Sequence, residues 1–186
     1  MSSIDTLLTR KSHGKLVHPA PSKEQMTRLF KLALRAPDHA LLKPWRFLVF
    51  EGESLVKLGE LMVDASLKTD SELSAEKLEK IANKPLRAPM VVISIVCYKE
   101  HPKVPKIEQV LSSGASVQNL LLAAHLEGIG VKWRTGALAF NRHLMDNLGL
   151  QANEQITGFI YLGQEEGRKA TLKHPDQSEF VSWYSE

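Results

Sequence analysis

Residues 89–97 read Pro-Met-Val-Val-Ile-Ser-Ile-Val-Cys, a run rich in β-branched side chains with no alternation of apolar and polar positions. An alternating strand can rest one face on a core and wet the other, whereas a strand without alternation must be covered on both. The run therefore predicts the central strand of a sheet held between layers of helix, and the rest of the chain has to supply that cover. With 186 residues, 43% of them hydrophobic, there is enough chain for one core of ordinary size, and no Pro-, Gly- or Ser-rich linker splits it. One domain spanning residues 1–186 is expected.

The cover is legible as helical periodicity. A short helix carries Ile4, Leu7 and Leu8 and ends near Arg10. Ser22 and Gln25 form a capping-box pattern, after which Met26, Leu29, Phe30, Ala33 and Leu34 repeat at helical spacing up to Arg35. Trp45 to Phe50 reads as a strand, Gly52 breaks it, and Ser54 opens a helix through Leu58, Leu61, Met62 and Ala65. Residues 68–84 are highly charged with a weaker pattern at Leu73, Leu78, Ile81 and Ala82, and are read as a solvated helix or a mobile excursion. The longest helix, about residues 107–127 and closed by Gly128, is apolar nearly all round, which suits the core or a twin helix from another subunit. A short edge strand at 131–136, a weak helix at 141–148 and a final strand at 156–162 stopped by Gly163 complete the pattern. Alternating strands and helices without repeats give an α+β (α/β layered) domain.

Composition excludes several classes. The net charge of +3, from 24 basic and 21 acidic residues, does not announce a nucleic-acid or membrane surface. No run approaches the roughly 18 apolar residues of a membrane span, and the first residues lack a leader pattern, so a cytoplasmic location is expected. Cys97 is the only cysteine, which excludes an internal disulfide framework and a thiolate-rich metal site, and it is expected to be buried and inert. His39, His101 and His125 are not spaced as metal ligands, so no metal is expected. Gly128-Ile129-Gly130 follows a helix and not a strand, which disfavours a Rossmann dinucleotide module.

Three stretches carry chemistry. Residues 35–47 pack two arginines, a histidine, a lysine and a tryptophan around two prolines, a set of cationic donors and an aromatic on stiff backbone that suits a planar anionic ligand. A helix-to-strand connector with solvated charges fits the same residues. Arg10-Lys11-Ser12, followed by Gly14, offers two cations and a hydroxyl to a phosphate, although such a tripeptide is common. Trp133-Arg134-Thr135 again places an aromatic, a cation and a hydroxyl together, on what is otherwise an ordinary edge strand.

In order, Arg10-Lys11-Ser12, residues 35–39 with 43–47, residues 113–124 with Gly128-Ile129-Gly130, and Trp133 to Gly136 resemble the blocks of the FMN-dependent nitroreductase family, in its short single-domain NAD(P)H nitroreductase form. The resemblance covers residues 4–163. It implies a nitroreductase-like fold with a central, mostly antiparallel sheet flanked by helices. It also implies a homodimer with two FMN sites at the interface. By similarity Arg10, Lys11 and Ser12 contact the phosphate and ribityl chain, Arg35 and His39 come from the other subunit, and Trp133, Arg134 and Thr135 line the flavin. Lys11 stands where a second arginine is frequent, keeping the charge but losing bidentate geometry. The implied activity passes electrons from NAD(P)H to nitroaromatics, quinones or related small molecules by a ping-pong mechanism. The flavin N5 carries the hydride, so no catalytic side chain or metal is required. A non-catalytic FMN reservoir or redox-sensing module is the alternative from another class. Past Gly163, the aromatics Phe180, Trp183 and Tyr184 suggest a tail strand exchanged onto the partner's sheet edge.

Overall fold

The computed structural model describes residues 3–167 and 174–184. In chain order the elements are α1 (Ser3–Leu8), β1 (Lys15–Val17), α2 (Lys23–Ala33), β2 (Trp45–Glu51), α3 (Glu53–Thr69), α4 (Ala75–Ala82), β3 (Met90–Cys97), α5 (Lys106–Leu126), β4 (Gly130–Arg134), α6 (Arg142–Asn147) and β5 (Glu154–Glu166). Every strand pair is antiparallel: the sheet runs β1-β5-β3-β2, with β4 also paired to β5. This is the nitroreductase-like fold that the motifs implied.

β3 is an interior strand, between β2 and β5, and all but its last residue are buried. Val91, Ile93 and Ile95 pack with Leu55, Leu58 and Met62 of α3 and Leu144 of α6. Met90 and Val92 belong to the opposite core, with Met26 and Leu29 of α2 and Val117 and Leu120 of α5. Two covered faces explain why the run has no polar alternation. The capping box is formed as expected: Ser22 Oγ accepts from the Gln25 N–H at 3.2 Å, and Gln25 Oε1 accepts from the Ser22 N–H at 2.9 Å. α2 stops at Ala33, leaving Arg35 just beyond its end.

One expectation is corrected and an open one is settled. Gly163 does not end the last strand, because β5 continues to Glu166 and its final residues pair with β1, a strand of three residues with no periodicity to reveal it. Gly163 marks a close approach: a Cβ there would lie 2.7 Å from Pro89 Cδ and 2.8 Å from the Val17 carbonyl oxygen. Of the two readings of the charged stretch 68–84, the solvated helix is the one formed. α3 runs on to Thr69, and α4, though without a fully buried residue, docks on α3 where Gly59 admits the Ala82 carbonyl. The described tail, 174–184, holds a 3-10 turn at Gln177–Glu179 and no strand, and it leaves Trp183 and Tyr184 87% and 94% exposed.

Candidate functional site

The tripeptide is held by two neighbours. α1 leans on the far end of α5, where His125 Nε2 lies 2.8 Å from the Thr6 carbonyl and 3.0 Å from Thr9 Oγ1. The chain then runs beside β4, and the His13 N–H donates to the Val131 carbonyl at 3.1 Å. Lys11 Nζ sits 2.7 Å from Glu165 Oε1, so its charge is turned toward β5. The side chains of Arg10 and Ser12 have no hydrogen-bond or ion-pair partner among the described residues. Lys11 and His13 line a cleft of about 730 Å³ that also includes His125, Gly128 and Glu165.

β4 carries the second group, and its alternation splits that group. Trp133 packs on the core shared by α2 and α5, and its Nε1 donates to the Thr157 carbonyl at 3.2 Å. The ring needs Gly158 beneath it, since a Cβ at that position would stand 2.0 Å from Nε1. Arg134 points to the other face, its guanidinium 5.7 Å from the centre of the Tyr161 ring. Trp133 and Arg134 therefore do not line one surface with their side chains, and Thr135 is exposed at the strand end. Arg134 instead shares a cleft of about 690 Å³ with Lys15, His18 and Arg87; among the described residues no carboxylate lines it, and Lys15 is paired with Glu166. Sequence reading missed Lys15 and Arg87. The only signal was their basic charge, in a three-residue strand and in the turn before β3.

The loop after α2 is the third group, and it is strained. Ala40, Leu41 and Lys43 have φ of 59°, 54° and 48°, a region that β-carbon-bearing residues avoid. Asp38 Oδ2 accepts the Lys43 N–H at 2.5 Å and braces the turn. The result displays Leu41, 78% exposed, beside His39, whose Nδ1 is 2.6 Å from Glu108 Oε2 at the start of α5. Glu108 and His125 stand about 25 Å apart along α5 at about 1.5 Å per residue. One chain thus brings Arg10–Ser12 and β4 together but leaves His39 at the other end of α5. Arg46, from the same cationic stretch, is engaged elsewhere, in a two-point bond to Glu154 at 2.6 and 2.7 Å. Cys97 is half-buried and not fully enclosed. Burial, and then the Glu154 carboxylate 3.3 Å away, push its thiol up to about 11, which keeps it inert at neutral pH. Among the described residues no group of His, Cys, Asp or Glu could hold a metal ion, and no helix is long and apolar enough to cross a membrane.

An antiparallel sheet walled by helices, with cationic side chains strung along its outer strands, matches the sequence model of the Nitroreductase family over residues 7–164, and the chain belongs to that family. It is accordingly an oxidoreductase. The chain is 32% identical over 185 residues to the Escherichia coli K12 protein named "Putative NAD(P)H nitroreductase YdjA", covering 99% of this chain and all of that one. A Haemophilus influenzae protein of the same generic name is 38% identical over 187 residues, 98% of this chain and all of its own. Among solved structures, a nitroreductase-like protein from Bacillus cereus superposes with a TM-score of 0.84 at 21% identity, covering 99% of this chain and 96% of that one. A Desulfovibrio desulfuricans nitroreductase solved in complex with FMN gives 0.74 at 18% identity, covering 98% and 96%.

Proposed function

We propose that this protein binds FMN and passes electrons from NAD(P)H to a nitroaromatic, a quinone or a related small acceptor in a ping-pong sequence. The observation that carries the reading is the pair Arg10 and Ser12, a guanidinium and a hydroxyl without described partners, held against the outer strand of the sheet. That donor chemistry fits a phosphate, which charge-assisted bonds from arginine recognise well. Trp133, fixed on Gly158, supplies a rigid aromatic wall nearby. When bound, the flavin supplies the hydride chemistry, so the chain itself has to bind, orient and exclude water.

The same reading accounts for the distant third group. His39 reaches a site containing Arg10 only if a second copy provides it, with Arg35 taken to come from the same copy, and the proposed assembly is therefore a homodimer with a site at each end of the paired α5 helices.

The test is direct. Purified protein should take up FMN, be reduced anaerobically by NADH or NADPH and be reoxidised by a nitroaromatic or quinone, with parallel double-reciprocal plots. Arg10→Ala should weaken FMN by about 1.5–3 kcal/mol, the range for a hydrogen bond to a charged group. Riboflavin binding as tightly as FMN would refute the assignment of Arg10 and Ser12 to phosphate.

A further inference from the structure

The segment after α1 divides its side chains between two tasks. Lys11 and His13 both turn to Glu165 at the end of β5, Lys11 Nζ at 2.7 Å from Oε1 and His13 Nε2 at 3.4 Å from Oε2. Arg10 and Ser12, interleaved with them, have no described partner. His13 is 7% exposed, and its contacts favour one tautomer. His13 Nδ1 lies 3.0 Å from the Val131 nitrogen and 3.3 Å from the Val131 carbonyl oxygen; the N–H can only donate and is the nearer of the two, which favours an unprotonated Nδ1 with Nε2–H facing Glu165. The His13 N–H donates to the carbonyl of the same Val131. One residue therefore supplies both bonds that a neighbouring strand would give to the outer edge of β4. Gly130 makes room for the arrangement, because a Cβ there would meet Leu16 Cδ2 at 2.6 Å and the Glu165 nitrogen at 3.1 Å.

We propose that Glu165, His13 and Lys11 form a clasp that positions the tripeptide for the phosphate. Glu165 and His13 act as positioning residues, and Lys11 is the counter-charge of Glu165, not a ligand of the phosphate. This rests on the FMN reading and deepens it, since within the tripeptide Arg10 and Ser12 are then the residues left for the anion. A carboxylate beside a phosphate site repels the ligand, and Coulomb's law alone says that removing it should tighten binding. The clasp predicts the opposite sign. With Lys11 neutralising Glu165 at 2.7 Å, the repulsion is largely offset, and what the carboxylate contributes is the alignment of residues 10–13 against β4.

The experiment measures dissociation constants of FMN and riboflavin, by quenching of flavin fluorescence, on the flavin-free full chain. Riboflavin lacks the phosphate, so the ratio of the two isolates it. Glu165→Gln and His13→Ala are each expected to weaken FMN about tenfold while leaving riboflavin within about twofold. His13→Asn, whose Oδ1 can accept the Val131 N–H, should recover most of the loss. Lys11→Met should act through Glu165, so the double variant with Glu165→Gln should be no worse than the weaker single one. A Glu165→Gln protein that holds FMN more tightly than wild type, or additive losses in the double variant, would overturn the clasp. Arg10→Ala separates the two ideas. Wild type with no preference for FMN, and Arg10→Ala no weaker, sinks the phosphate reading and the clasp with it. A preference abolished by Arg10→Ala but untouched by Glu165→Gln and His13→Ala sinks the clasp alone. Without any flavin, nitrogen NMR of the histidine-labelled chain should show the His13 proton on Nε2, and a proton on Nδ1 contradicts the proposal.

Discussion

Glu154 accepts both arms of the Arg46 guanidinium and also the Gln151 N–H at 2.9 Å, and the Arg46 bond above all holds its carboxyl down to about 2. The folded value lies below the usual 4.5, so Glu154 stabilises the fold above that pH and loses its contribution as pH falls through about 2. Cys97 works at the other limb. Its thiol is raised from the usual 9 to about 11, a contribution complete below pH 9 and lost as pH rises through about 11. Glu154→Gln should flatten the acid limb and lower stability near neutrality by about 1–2 kcal/mol. That figure is discounted from the roughly 3 kcal/mol of the full shift because Arg46 is about a third exposed. Denaturant unfolding of the two proteins near pH 7 and near pH 2 checks this. The gap should narrow at the lower pH, and a constant gap would show that the carboxylate's charge plays no part.

At the scale of elements, the α3–α4 contact is the one that hangs on a single position. A Cβ on Gly59 would stand 2.3 Å from the Ala82 carbonyl oxygen, so Gly59→Ala must push the helices apart. A loss of about 1–3 kcal/mol is expected, the range for overpacking. Hydrogen exchange should quicken across residues 75–82 while β3 keeps its protection; unchanged exchange in α4 would mean that the contact does not hold it. The same contact shows where sequence stops being informative. β3, the capping box at Ser22 and α5 were legible because their signals are local and repeated over many residues. α4 shows its helical spacing in Leu78, Ile81 and Ala82, but the glycine and backbone carbonyl that fix where it docks leave no signal in the pattern. β1 and the end of β5 pair across some 150 residues of chain, and three residues carry no measurable period. The site divides in the same way. Arg10, Ser12, His39 and Trp133 could be singled out by residue type. That Lys11 faces Glu165, that Arg134 leaves Trp133's side of the sheet, and that Lys15 and Arg87 join it, follow from crossings between distant segments.

For the whole molecule, the proposed dimer makes each site a composite, and complementation tests it. Subunits inactivated by His39→Ala and by Arg10→Ala, exchanged into heterodimers, should regain one intact site in two; no recovery would assign both residues to the same chain's cofactor. The exposed Trp183 and Tyr184 belong to the same question, for aromatics left in water by one chain are suited to cover another. A chain truncated after His174 should lose dimer stability and FMN together, and a fully loaded dimer with unchanged melting would remove the tail from the interface. The separation of the groups along α5 also bears on how chains of this architecture can vary. α5 acts as a ruler between the end that supports Thr9 and the end that meets His39. Adding one residue to it would advance everything beyond by about 1.5 Å and swing it through about 100°. Substitutions along its exposed face leave that measure intact, whereas insertions and deletions do not. The turn between α3 and α4 has no such duty and can lengthen freely, so length differences should collect there and be absent from α5.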